Sequence, residues 1–330
     1  MSQELHVIFG NGPIGSAVAR HLLADGHRVR MVSRSGGKPV APVTHPGNAE
    51  SAERLEFAAA DALDREETIR AARGARAIYH CVNVPYQQWK AVLGQIQANI
   101  IDAAIEAGAV LAVTENLYSY ERVPEITDAT RQNPPTRKGA LRRDLHAELV
   151  RAGETRGLLW TSLRGSDYYG PGSTMQSVFG TSLFLDPLYA GRPSRMLGRL
   201  DMPHSYTYTG DFARALILAA ANEEALGRSW IVPNDAPLTA ADAASVVFSE
   251  SGRSGRISTV PRWMIAMMGI TSPLLRELRE MLYQKEEPYV ANGDEFAKRF
   301  AFEPTPFARG VRETIQWYES SVREPVAAGR

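Results

Sequence analysis

Cysteine is nearly absent. The 330 residues contain one, Cys81, which excludes an internal disulfide framework and a cysteine-rich metal site. A charge excess is missing too, because 37 Lys+Arg balance 37 Asp+Glu. Without a basic surplus, neither nucleic acid nor an anionic membrane is expected as a partner. No apolar run approaches the roughly 18 residues of a membrane span. Met1 to Glu4 is polar rather than basic-then-apolar, so the expected location is the cytoplasm. The seven histidines show no close metal-ligand spacing, and no metal is expected. Repeats and low-complexity tracts are also lacking. What is present is a 44% hydrophobic composition, enough to bury a core in one large domain or two small ones.

The informative stretch comes first. Leu5 to Phe9 reads as a short buried strand and runs into Gly10-Asn11-Gly12-Pro13-Ile14-Gly15. Gly10 permits a tight turn, Gly12 leaves room for a pyrophosphate, and Gly15 lets the next helix pack closely on the strand. That helix is expected from about Pro13 to about Asp25, its first N–H groups facing the phosphates. A strand over His27–Val32 follows. A glycine pattern between strand and helix, with a second strand behind it, predicts a dinucleotide site. The second strand ends at Ser33-Arg34, with no carboxylate to hold a ribose 2′-OH. Hydroxyl and guanidinium suit a 2′-phosphate, so NADP(H) is expected over NAD(H).

Strand and helix then alternate: Leu55–Ala60, Arg65–Ala72, Ala77–Val82, Trp89–Ala107 and Val110–Thr114. Such alternation predicts an α/β fold, a doubly wound parallel Rossmann sheet with helices on both faces. Ligands bind at the carboxyl ends of its strands. Those ends are Gly10–Gly15, Ser33-Arg34, Asp61-Ala62, Cys81–Tyr86 (with Val82 and Asn83 expected at the cofactor) and Thr114–Tyr118. The stretch Arg34–Ala52 reads as a long loop, and Pro261–Gln284 as two helices, the first rich in methionine. The tail from Val322 is polar and is expected to fray.

Here the chain resembles the extended short-chain dehydrogenase/reductase superfamily, in its epimerase/dehydratase group. The likeness rests on Gly10–Gly15, Asp61-Ala-Leu-Asp64, Tyr79-His-Cys-Val82, Asn99, Thr114-Glu-Asn116-Leu-Tyr118, Arg164-Gly-Ser-Asp167-Tyr168-Tyr169-Gly-Pro171 and Tyr208-Thr-Gly-Asp211. It implies a Rossmann domain over residues 1–170, with segments such as 205–232 returning to it. Residues 171–330 would then form mainly a smaller C-terminal substrate domain. It also implies a small-molecule substrate, and a homodimer is common in the superfamily.

The family's catalytic unit is Ser/Thr with Tyr-x-x-x-Lys on one helix, the last two on one face. Thr114 falls at the Ser/Thr position. The helix within Asn133–Val150 contains no tyrosine. Aligned on the pattern, Lys138 replaces the proton donor and Arg142 the lysine. Three readings follow: Lys138 is the acid, a tyrosine from elsewhere (Tyr86, Tyr118, Tyr168 or Tyr169) supplies the proton, or the chain binds a dinucleotide without turnover, as a sensor would. Lys138 could equally be a surface lysine at a helix start. The reaction implied first is oxidation or reduction at a carbonyl/alcohol centre, with sugar-nucleotide epimerisation or dehydration beside it. Tyr118 matches a family tyrosine near the nicotinamide, more in a packing role. Asp167 stands where the family meets its substrate, or caps a turn. Asn116, Tyr168 and His204 are further substrate-side candidates. Tyr86 and Trp89 wall a pocket or seat a helix, and Asp211 reads as a helix N-cap.

Overall fold

The computed structural model describes residues 4–43, 49–174, 177–260 and 279–323. The methionine-rich segment and the end of the tail lie outside them, as do residues 44–48 of the long loop. The chain divides into two compact units: Met1–Tyr120 with Gln132–Gly165 and Phe212–Trp230, and Glu121–Arg131 with Ser166–Asp211 and Ile231–Arg330. The first unit therefore gives up the chain at Gly165, ahead of the expected residue 170. The stretch that returns to it is Phe212–Trp230, narrower than 205–232.

In the first unit β1 (Leu5–Phe9), α1 (Pro13–Ala24), β2 (Arg28–Ser33), α2 (Ala49–Glu53), β3 (Leu55–Ala59), α3 (Arg65–Ala72), β4 (Ala75–His80), α4 (Trp89–Ala107), β5 (Val110–Asn116) and α5 (Arg137–Arg156) follow one another. The strands Trp160–Gly165 and Ser229–Ile231 complete a seven-stranded sheet. Its order is Ser229–Ile231, Trp160–Gly165, β5, β4, β1, β2, β3. Every pairing from β3 across to Trp160–Gly165 is parallel. Strand order reverses between β1 and β4, which in such sheets opens a crevice at the carboxyl ends.

Local sequence fixes the boundaries. Pro13 starts α1, where its missing N–H costs nothing. The Asp64 carboxylate caps α3 by accepting the Glu67 N–H at 2.9 Å. Thr136 caps α5 through the Gly139 N–H at 3.0 Å, so that helix starts at Arg137. β4 ends at His80, two residues before the expected Val82, which puts Cys81 and Val82 in the exit loop. Val7, Phe9, Ile78, Ile100, Leu111, Leu149 and Trp160 belong to one buried core cluster, each large aliphatic contributing about 1.5–3 kcal/mol of burial.

The second unit is built from pairs of short strands. Asp167–Tyr169 runs parallel to Tyr206–Tyr208, Ser194–Leu197 to Ile257–Val260, and Glu125–Ile126 to Val290–Ala291. Pro203–His204 pairs antiparallel with Leu238–Thr239. Its core is aromatic, with Phe179 against Tyr169, Phe184, Tyr206 and Phe307. Asp211 sits in the first turn of the helix Thr209–Ala221, not at its cap. Its carboxylate accepts the Thr305 N–H and hydroxyl, both at 2.7 Å, and clasps a distant segment.

Candidate active site

The glycine turn is shaped by backbone contacts. Gly10 has φ 109°, and a Cβ there would lie 2.5 Å from the Cys81 carbonyl oxygen. A Cβ on Gly15 would strike the Gly10 carbonyl. One on Gly12 would meet nothing within 4 Å. The turn therefore closes tightly at both ends and stays open in the middle. Gly12 is also the N-cap of α1 and offers no side-chain acceptor, so the first-turn N–H groups, beginning at Ile14, are left for a ligand. Asn11 ties the turn to the chain after β2, its Nδ2 donating to the carbonyls of Gly37 (3.3 Å) and Lys38 (3.2 Å).

At the end of β2 the Ser33 hydroxyl is buried with no hydrogen-bond partner among the described residues. Arg34 beside it is exposed, and no described carboxylate pairs with it. After β3, Asp61 Oδ1 accepts the Leu63 N–H at 3.0 Å. The Ala62 carbonyl accepts Nδ2 of the buried Asn99 at 2.9 Å, which fastens this loop to α4. After β4, the half-buried Val82 donates its N–H to His80 Nδ1 at 3.4 Å, and Asn83 beside it is exposed.

The candidate catalytic residues of the first unit fall into an aromatic cluster with two cations. Tyr86 and Tyr118 join their hydroxyls at 2.8 Å. Trp89 meets the Tyr86 ring edge-on with centroids 4.8 Å apart, stacks on Tyr118 at 6.2 Å, and donates its indole N–H to the Val84 carbonyl. Lys138 is no surface lysine: it is 5% exposed, with its ammonium 5.3 Å from the Tyr86 ring centroid. Gly139 makes this possible, since a Cβ there would strike the Tyr118 carbonyl. One turn on, the Arg142 guanidinium lies 4.2 Å from the Trp89 ring centroid, and its Nε is buried without a partner among the described residues. Burial pulls the Arg142 pKa down, and Glu115 opposes it. Thr114 donates its hydroxyl to the His80 carbonyl at 2.9 Å, so its lone pairs remain for a donor. Asn116 Oδ1 caps the turn Leu117–Ser119 by accepting the Tyr118 N–H at 3.2 Å.

Behind this cluster lies a network that motif reading missed. The Glu115 side chain, 8% exposed, accepts from Arg164 Nε at 2.8 Å and from the Ser162 hydroxyl at 3.1 Å, and its other oxygen meets His146 Nδ1 at 3.3 Å. Arg164 also donates to the Tyr120 hydroxyl at 2.8 Å. Burial pushes the Glu115 pKa up, but Arg164 and His146 outweigh it and hold the carboxyl well below the usual range. Burial, aided by Arg142, lowers His80 to about 4. Lys138, Arg142 and His146 stand four residues apart on α5, a basic stripe on one helix face. That spacing is the sequence signal for the network.

Asp167, Tyr168 and His204 belong to the second unit. His204 Nε2 lies 2.7 Å from Asp167 Oδ2, which also pairs with the Lys285 ammonium. Burial pushes Asp167 up, yet Lys285 and His204 hold it below the carboxylate range. His204 is buried between Tyr206 and Tyr289 rather than lying in a loop. The Tyr168 carbonyl accepts the Ser177 hydroxyl at 2.7 Å.

The profile of the NAD dependent epimerase/dehydratase family matches residues 7–232. Solved structures align over nearly the whole chain. The dTDP-glucose 4,6-dehydratase of Streptomyces venezuelae, with NAD and TYD bound, is 19% identical with a TM-score of 0.72, over 96% of this chain and 97% of that one. The UDP-glucose 4-epimerase of Thermus thermophilus, in complex with NAD, is 19% identical with a TM-score of 0.71, over 96% and 100%. The UDP-glucuronic acid 4-epimerase of Bacillus cereus, in complex with NAD, is 15% identical with a TM-score of 0.76, over 98% and 99%. At these identities the likeness is one of fold. No curated protein sequence matches the chain.

Proposed function

Because the chain belongs to the NAD dependent epimerase/dehydratase family, we propose that it is a nicotinamide-dependent enzyme that oxidises a secondary alcohol, or reduces the matching carbonyl, on a sugar-nucleotide substrate. The observation that carries this reading is the open middle of the glycine turn: Gly12 faces free space at the uncapped start of α1 while Gly10 and Gly15 are hemmed in by backbone. The residues present fit a dinucleotide. Gly12 and the first N–H groups of α1 would take the pyrophosphate, the partnerless Ser33 hydroxyl and Arg34 the adenosine ribose, and the loops at Asp61-Ala62 and Val82-Asn83 would flank it. The bound nicotinamide supplies the hydride acceptor or donor.

The protein's own task is the proton. Tyr86 Oη, hydrogen-bonded to Tyr118, takes or returns the proton on the substrate oxygen. Lys138 sets its ammonium over the Tyr86 ring and holds it in place. Thr114 accepts from the substrate hydroxyl, since its own proton is directed to His80. Arg142, fixed on Trp89, is left to hold a ribose hydroxyl.

Arg34 beside Ser33, with no carboxylate at the end of β2, favours a second reading, an NADP(H)-dependent reductase of a small carbonyl metabolite. Turnover separates them. The protein is incubated with NAD or NADP and with UDP- and dTDP-sugars, then with NADPH and a carbonyl panel, while nicotinamide absorbance and product are followed. Conversion of a sugar nucleotide supports the first reading and oxidation of NADPH by the panel the second. Dinucleotide binding without turnover in any arm contradicts both and leaves a sensor.

A further inference from the structure

A second chemical cluster stands at the opposite, amino end of the sheet. Glu4 precedes β1 and His6 is its second residue; period two places their side chains on one face. His27 immediately precedes β2, and parallel pairing of Leu5 with Arg28 sets it beside them. One ligand atom from each of Glu4, His6 and His27 lies within 4.8 Å of the others. The two imidazoles meet edge-on with centroids 4.6 Å apart.

Three features separate this group from ordinary packing. His6 is 7% exposed, yet its Nε2 has no hydrogen-bond partner among the described residues. His27 Nδ1 is also buried without one. An imidazole nitrogen left unpaired in the interior is costly unless something binds it. The other nitrogen of His6, Nδ1, lies 3.2 Å from the hydroxyl of the fully buried Tyr79. When Nδ1–H donates there, Nε2 keeps its lone pair for a ligand, as in histidine ligands held by an outer partner.

We propose that Glu4, His6 and His27 form a divalent-cation site of the zinc class, with Tyr79 as the positioning residue for His6. Two imidazoles and one carboxylate are a ligand set zinc accepts, with water in the remaining position. Ligand atoms about 2.0–2.2 Å from zinc stand closer together than 4.8 Å. Closing the gap falls to Glu4 and His27, both only half-buried. Arg76 competes for the carboxylate, its Nε standing 3.6 Å from Glu4, and it is half exposed and able to withdraw.

The test uses tag-free, chelator-treated protein titrated with ZnCl2 by calorimetry, with thermal melting alongside. Wild type binds one equivalent and melts higher with zinc. His27→Gln and Glu4→Gln, both at half-buried positions, each weaken binding at least about tenfold. Tyr79→Phe weakens it about tenfold or more. Arg76→Ala tightens it. Absence of stoichiometric zinc binding in wild type overturns the proposal, as does unchanged affinity in both His27→Gln and Glu4→Gln. Dinucleotide titration of the same samples reports the other end of the sheet, so the two readings fail separately.

Discussion

The turn Gly10–Gly15 and the cluster around Tyr86 stand at the same edge of one sheet and are built by opposite means. The turn is made of backbone. Its shape depends on which glycines lack room for a Cβ, and its six residues are consecutive in the chain. The cluster is made of side chains from four places: the loop after β4, the start of α4, the turn after β5, and the face of α5. A backbone site survives only the substitutions its geometry allows and therefore leaves a motif. A side-chain site can exchange a tyrosine on one helix for a tyrosine on a neighbouring loop and leave no motif.

The largest effect is expected where the cluster is anchored. Glu115→Gln leaves Arg164 buried without its counter-ion, and a loss of about 3–5 kcal/mol is expected in denaturant unfolding. The acid limb sharpens the point. Glu115 has its folded pKa depressed, so its contribution is complete above the ordinary glutamate value of about 4.3 and is lost as pH falls below it. The variant should show a shallower loss there. His80, lowered to about 4, contributes stability that is present above about 6.5 and lost as pH falls from there toward 4.

Next comes the proton. Tyr86→Phe should lower kcat about 100-fold with dinucleotide affinity unchanged, about 2.7 kcal/mol in the barrier. Tyr118→Phe should cost less, because it removes the partner and not the donor. Equal effects would make the pair a packing unit and break the distinction between turn and cluster.

The glycines give the smaller differences. Gly15→Ala should destabilise by about 1–3 kcal/mol, since its Cβ strikes the Gly10 carbonyl. Gly12→Ala should leave stability within about 0.5 kcal/mol and weaken the dinucleotide, because its Cβ enters the space the ligand needs. Thermal melts and fluorescence titrations of the two variants separate folding from binding.

The same contrast explains what could be read without coordinates. Strand β1 and helices α3 and α4 have the boundaries their patterns predict, because hydrophobic period and caps are local. The Glu115 network was hidden because its members sit on β5, α5 and the strand Trp160–Gly165, brought together by parallel pairing of the strands and a side-chain contact from the helix. His6 and His27 are 21 positions apart in the chain, a gap no ligand motif spans. The paired strands of the second unit are two to four residues long, too short for a period.

The most direct measurement is a fluorescence titration of the purified protein with NADPH and NADH, repeated on Arg34→Asp. A dinucleotide seated on the Gly10–Gly15 turn with its 2′-phosphate at Ser33 and Arg34 predicts tighter binding of NADPH. The variant should lose about 10- to 100-fold for NADPH and hold NADH as well or better, the worth of a charge-assisted hydrogen bond. Failure of both dinucleotides to bind the wild-type protein would contradict the account.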